Sequence, residues 1–198
     1  MSEVVKIKSE NLYNAVYQAC LKANICLPNE VYCALQNIEG KGLEAKSKMT
    51  KIFANALIAS QNARPLCQDT GQVLAFVSMG SKVLLDKPLN DIINSSVEAC
   101  YRDNFFRKSV VKNAVFDRTN TKTNTPAIIY TDIVDGGKIK IDFIIKGGGA
   151  ENMSALKMFN PSATKQEIMD FALETVKNAG ENACPSPASL AVRTTTPH

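Results

Sequence analysis

Two apolar runs, residues 127–134 and 138–145, flank the tripeptide Asp135-Gly136-Gly137. An Asp-Gly step between two strand-like runs is a strong short-range signal for a reversal of the chain, and it predicts a β-hairpin here. The second run ends at Lys146-Gly147-Gly148-Gly149. Residues before about 63 follow a different period. Leu12, Ala15, Val16 and Ala19 recur at helical spacing behind Ser9, an N-cap residue type. Pro28 suits the first turn of a second helix that stops near Gly40. A third helix, about residues 43–63, carries Met49, Ile52, Phe53 and Leu57 on one face until Arg64-Pro65 breaks it. A short strand is expected over residues 73–77, and a helix opened by Pro88 runs through Ile93, Val97 and Tyr101 to Phe105. Residues 118–126, rich in Thr and Asn, read as a loop. Thr164 and Glu167 form a capping box for a last helix, with Ile168, Phe171, Ala172, Thr175 and Val176 on its apolar face and Gly180 as its stop. Helices followed by a small, mainly antiparallel sheet with packed helices make the class α+β.

With 198 residues, 45% of them apolar, the chain can bury a full core and is expected to be one domain. Its helical part is about 1–63 and its mixed part about 64–188. No apolar run reaches the roughly 20 residues of a membrane span, and the first ten residues lack the apolar centre of a signal peptide. A cytoplasmic location is expected. The net charge of +4 is mild and its cations are diluted by apolar residues, which argues against nucleic acid and is compatible with a small anionic substrate. The one histidine is His198, so Cys–His nucleophilic catalysis and His-ligated zinc are excluded as leading readings. The six cysteines contain no CxxC pair, and Cys20, Cys26 and Cys33, within the helical region, read as ordinary buried thiols.

Three polar islands sit at the ends of regular elements, where sites are usually built. Cys67-Gln68-Asp69-Thr70-Gly71 puts a thiol, an amide and a carboxylate on one turn. It could hold a metal or iron–sulfur cluster, or be a buried thiol beside a helix-capping Asp. Gly147-Gly148-Gly149 could cradle a carboxylate in its backbone N–H groups, or be a plain glycine turn. Cys184-Pro185 has the form of a cluster ligand, or of a buried thiol.

Four stretches together resemble one family: Arg64-Pro65-Leu66-Cys67-Gln68-Asp69-Thr70-Gly71, Asn124-Thr125-Pro126-Ala127, the run from Lys146 to Met158, and Asn182-Ala183-Cys184-Pro185. In order and spacing the chain resembles the α subunit, or N-terminal region, of class I iron–sulfur fumarate hydratases and L(+)-tartrate dehydratases. The resemblance covers about residues 5–188. It implies a hydro-lyase that hydrates fumarate to L-malate reversibly, as in the tricarboxylic acid cycle, with tartrate or a related hydroxy-diacid as the alternative substrate. It implies a 4Fe–4S cluster whose open iron acts as Lewis acid, with Cys67 and Cys184 as ligands. Asp69 becomes the catalytic acid, and Gln68, Asp69, Arg107 and Gly148 bind the dicarboxylate. It also implies a β subunit that supplies the catalytic base, and self-association. The family's third cluster cysteine lies downstream of Cys184, and none follows up to His198. The C-terminal part of the family domain is therefore expected to be missing, and a non-catalytic remnant or interaction protein is the other reading.

Overall fold

The computed structural model describes residues 4–37 and 43–180. They divide into two compact units that meet between Lys146 and Gly147. In the first, α1 (Ser9–Ile25) packs against α4 (Leu89–Asp103), with α2 (Asn29–Gln36) and α3 (Leu43–Gln61) alongside. Leu12, Val16, Cys20 and Asn24 are the buried positions of α1, spaced by four residues as one helix face requires. Leu12, Val16 and Cys20 share a single core with Ile93, Val97 and Tyr101 of α4 and with Val73, Ala75 and Val77 of β2 (Gln72–Gly80).

The class is α+β as expected, but the sheet is mixed rather than mainly antiparallel. Strands β4 (Ile128–Val134) and β5 (Ile139–Lys146) do not pair with each other as a hairpin. Strand β2 lies between them, in the order β4-β2-β5. It runs parallel to β4, with Leu74 opposite Ile128, and antiparallel to β5, with Gln72 opposite Lys146. Alternation of apolar residues specifies which face a strand buries, not which neighbour it takes. Two strand spacings are roughly 9.5 Å. The four Cα steps from Val134 to Lys138 can extend over roughly 13 Å, so the Asp135-Gly136-Gly137 turn can step across an inserted strand. It does so over the end of β2. Gly80 N–H donates to Lys138 O (2.8 Å), Ser81 N–H to Val134 O (2.7 Å) and Lys82 N–H to Gly136 O (2.9 Å). A Cβ on Gly80 would lie 2.4 Å from the Gly136 carbonyl oxygen, so only glycine fits beneath the turn.

Two short strands that the sequence did not announce, β1 (Val5–Ile7) and β3 (Val83–Leu85), form a separate parallel pair. They bring the start of α1 to Asp86. The N-cap of α1 is Lys8, not Ser9. Ser9 lies in the first turn, and its backbone N–H and Oγ donate to the two carboxylate oxygens of Asp86 (2.8 and 3.2 Å). A carboxylate from a distant loop thus fills the role expected of a serine side chain.

The thiols also differ from expectation. Cys20 is buried, Cys26 half-buried and Cys33 exposed. Helix α2 buries only Leu35, so most of its side chains face water.

In the second unit, α5 (Gly148–Asn152) is followed by α6 (Lys165–Ala179). The predicted capping box is present. Glu167 N–H donates to Thr164 Oγ1 (3.3 Å), and Thr164 N–H donates to the Glu167 carboxylate (2.7 Å). Phe159 and Phe171 meet edge to face at 5.8 Å, with the Lys157 ammonium over both rings. Among the described residues, no helix is long and apolar enough to cross a membrane.

Candidate active site

Residues 62–71 connect α3 to β2 and carry the first polar island. Their course follows from where their backbone groups are satisfied. Leu66 N–H donates to Asn24 O of α1 (2.9 Å), and Leu66 O accepts from Asn55 Nδ2 of α3 (2.9 Å). Beyond that anchor the chain makes a tight Asx turn. The Asp69 N–H points at Cys67 Sγ (3.4 Å), and Asp69 Oδ1 accepts from Gly71 N–H (3.2 Å). Gly71 has φ +55°, a left-handed conformation that glycine adopts without a Cβ clash. Asp69 therefore caps its own turn rather than a helix. Cys67 and Asp69 are half-buried, and Gln68 is exposed.

Thr70 turns inward and is buried. Its hydroxyl donates to Arg107 O, and its own carbonyl accepts from the Tyr101 hydroxyl. This brings the Arg107 segment, just past the end of α4, alongside the Cys67–Asp69 turn. The backbone at Phe105 is left-handed (φ +56°), turning the chain out of α4, and Arg107 is exposed. Tyr101 is fully buried, edge to face on Phe106 at 5.5 Å, and burial pushes its phenol above the ordinary value. It therefore stays a neutral hydrogen-bond donor throughout the ordinary pH range.

Asn124 completes the join. It is fully buried, and its Nδ2 donates to Gly71 O (3.0 Å). Its Oδ1 accepts from Ser109 N–H (2.7 Å) and Val110 N–H (3.3 Å). It stands in the left-handed region (φ +60°), where Asn is among the better-tolerated non-glycine residues. The next peptide bond but one, Thr125–Pro126, is cis.

The first unit thus brings together Cys67, Gln68, Asp69 and Arg107 of the residues expected from sequence. Gly148 belongs to the second unit, where it opens α5 behind Gly147, whose carbonyl accepts from Glu151 N–H (3.0 Å). Cys184 lies outside the described residues. Among those described, no three His, Cys, Asp or Glu side chains gather as a metal site. Sequence reasoning missed Tyr101 and Asn124 as parts of the site. Asn124 stands in a motif that carried the family resemblance, and an asparagine before Thr-Pro was the available signal.

A fumarate hydratase (Fumerase) family profile matches residues 13–194, nearly the whole chain. The chain belongs to the fumarate hydratase family. Relatives within reach of this family carry α-subunit names. "Putative L(+)-tartrate dehydratase subunit alpha" of Methanocaldococcus jannaschii is 35% identical over 179 residues, covering 87% of this chain and 63% of the relative. The L(+)-tartrate dehydratase subunit alpha of Escherichia coli K12 is 28% identical over 165 residues, 80% of this chain and 54% of the relative. The chain therefore spans between about half and just under two thirds of the length of these relatives. In this fumarate hydratase family member the end of the Cys67–Gly71 turn is joined to the Arg107 segment by the Thr70 hydroxyl and through Asn124.

Proposed function

We propose that this chain is the α part of a hydro-lyase that adds water to fumarate to give L-malate, and reverses the reaction. Family membership supports the reaction class, and the bond from Thr70 to the Arg107 carbonyl is the observation that carries the site. It sets an acid, Asp69, and a carboxylate-binding cation, Arg107, on adjoining backbone segments. The arginine guanidinium can grip one carboxylate with two parallel hydrogen bonds. The exposed Gln68 amide can donate to substrate oxygen, and the backbone at Gly148 is assigned a further contact. Asp69 holds the proton that goes to the hydroxyl, with its Oδ1 orientation fixed by the Gly71 N–H.

Cys67 suits a thiolate ligand of a 4Fe–4S cluster. It is half-buried on a loop, and the Asp69 N–H is aimed at its sulfur, as backbone N–H groups are toward the sulfurs of iron–sulfur clusters. Cys184 is assigned as the second ligand. When bound, such a cluster supplies an open iron as Lewis acid for the hydroxyl. The catalytic base is assigned to a β subunit, so that the chain alone does not turn over. The α-subunit names of the relatives support such a partner. A cytosolic location fits the cysteines, which are free among the described residues.

The same names favour a second substrate, L(+)-tartrate, which differs from malate by one hydroxyl. Anaerobic reconstitution with iron and sulfide tests the cofactor. The wild type should gain iron and a broad absorbance near ~400 nm, and Cys67→Ser should lose both. Colour that survives Cys67→Ser would overturn the ligand assignment. Assembly with a β subunit and assay of fumarate, malate and tartrate side by side then decides the substrate. An assembled, iron-loaded enzyme that consumes none of the three would overturn the reaction.

A further inference from the structure

We infer that Asn124 and Tyr101 are positioning residues, a buried clamp that fixes the Asp69 segment against the Arg107 segment. The inference rests on the reading that these two segments face one substrate. Asn124 bonds to Gly71, two residues after Asp69, and to Ser109, two residues after Arg107. It thus spans the two loops at equal distance along the chain from the two groups that matter. Its amide can sit in only one orientation. The oxygen faces two N–H donors and the nitrogen faces a carbonyl, so a flip would oppose donor to donor on one side and acceptor to acceptor on the other. Tyr101 adds a fixed point. It projects from the core helix α4 and holds Thr70 by its carbonyl, while the Thr70 hydroxyl holds Arg107 by its carbonyl. Tyr101, Thr70 and Asn124 are all buried, so the bonds from Tyr101 to Thr70 and from Asn124 to Gly71 are shielded from water.

The links run in series, which gives the clamp a signature that simple stabilisation lacks. Loosening one loop should loosen the other. Tyr101→Phe removes the hydroxyl and keeps the ring on Phe106. Asn124→Ala removes all three amide bonds. Two readouts follow the two loops: iodoacetamide alkylation of Cys67, and backbone hydrogen exchange over residues 105–112. Cys20 and Cys100, fully buried in the α1–α4 core, report global opening in the same sample.

With either variant, Cys67 alkylation should accelerate about five-fold or more, and exchange over 105–112 should accelerate with it, while Cys20 and Cys100 stay at the wild-type rate. The Tyr101→Phe result is the discriminating one, because the hydroxyl it removes donates to Thr70 rather than to the 105–112 segment. If Cys67 and residues 105–112 keep wild-type rates in Tyr101→Phe, the clamp is wrong. If Cys20 and Cys100 accelerate in step with Cys67, the two residues merely stabilise the fold and the inference also fails. In the assembled enzyme the variants should lower kcat/KM about ten-fold. Absence of turnover in the wild type, with the thiol and exchange responses intact, counts against the hydro-lyase reading and leaves the clamp standing.

Discussion

Asp86 closes the N-terminus of a helix 77 residues before it in the chain. The Ser9 backbone N–H holds its carboxyl below the ordinary carboxylate value, with the Ser9 hydroxyl adding to the effect. A carboxylate whose pKa is depressed by folding stabilises the fold above its unfolded value of about 3.9, and that contribution fades as pH falls through the lower folded value. Asp86→Asn should therefore lower Tm at pH 6–7, and the gap to wild type should close on acidification below about pH 3. Thermal melts across that range check it. A gap that persists at pH 2.5 would mean that Asp86 acts through packing instead. Deeper in the molecule, Tyr101→Phe strands the Thr70 carbonyl without its donor. That loss should show as faster hydrogen exchange at residues 69–71, with the urea midpoint of global unfolding close to wild type. Neither partnership was legible in the sequence. Ser9 has the residue type of a cap, and reading the chain locally hands it that role. The capping oxygen comes from a loop placed there by the β1–β3 pairing, which no local pattern encodes. By contrast, Thr164 and Glu167 were read correctly because both halves of their capping box lie within four residues.

The longer elements were legible nearly to their ends, because hydrophobic period reports them directly, while the short β1, β3 and α5 carry too few residues to show a period. Their partners were not. The residues on both sides of Asp135-Gly136-Gly137 do form strands and the chain does reverse, yet a strand some fifty residues earlier occupies the place between them. Gly80 is the record of that insertion. Gly80→Ala should cost about 1–3 kcal/mol, since its Cβ would press on the Gly136 carbonyl and one of the two backbones must move. The same change at Gly136 has no neighbour within 4 Å to meet, and its cost is the strain of φ +119° alone. Helix α4 is the other element on which both core and site depend. Ile93 is fully buried in its core-facing side, and Ile93→Ala should cost about 2–5 kcal/mol in equilibrium unfolding. Candidate chemistry was easier to read than strand neighbours. Cys67, Gln68 and Asp69 sit in one contiguous motif, whereas Arg107 stands outside the motifs and the residues that join the two segments come from α4 and from a loop near residue 124.

At the scale of the whole molecule, the thiols rank by depth. Among the described residues, Cys33 should react first with a small alkylating agent, Cys26 and Cys67 more slowly, and Cys20 and Cys100 only as fast as the core opens. The last two meet between α1 and α4, where the hydrogen bond with Cys100 and then burial push the Cys20 thiol well above its ordinary value, so it presents almost no thiolate. Peptide mapping of a timed alkylation checks the order, and early labelling of Cys20 would contradict the packing of α1 on α4. The central place of β2 has a consequence for how the molecule is made. Its nine residues, Gln-Val-Leu-Ala-Phe-Val-Ser-Met-Gly, carry no charge. Such an apolar, charge-free, strand-forming segment is prone to pair with other chains while it is bare. It leaves the ribosome complete at residue 80, but its second edge waits for β5 to end at Lys146, 146 − 80 = 66 residues later. At about 5–20 residues per second that wait is roughly 3–13 s. The strand that is central in the finished protein is thus left with a bare edge for a long part of its own synthesis, and the hazard it poses belongs to the nascent chain.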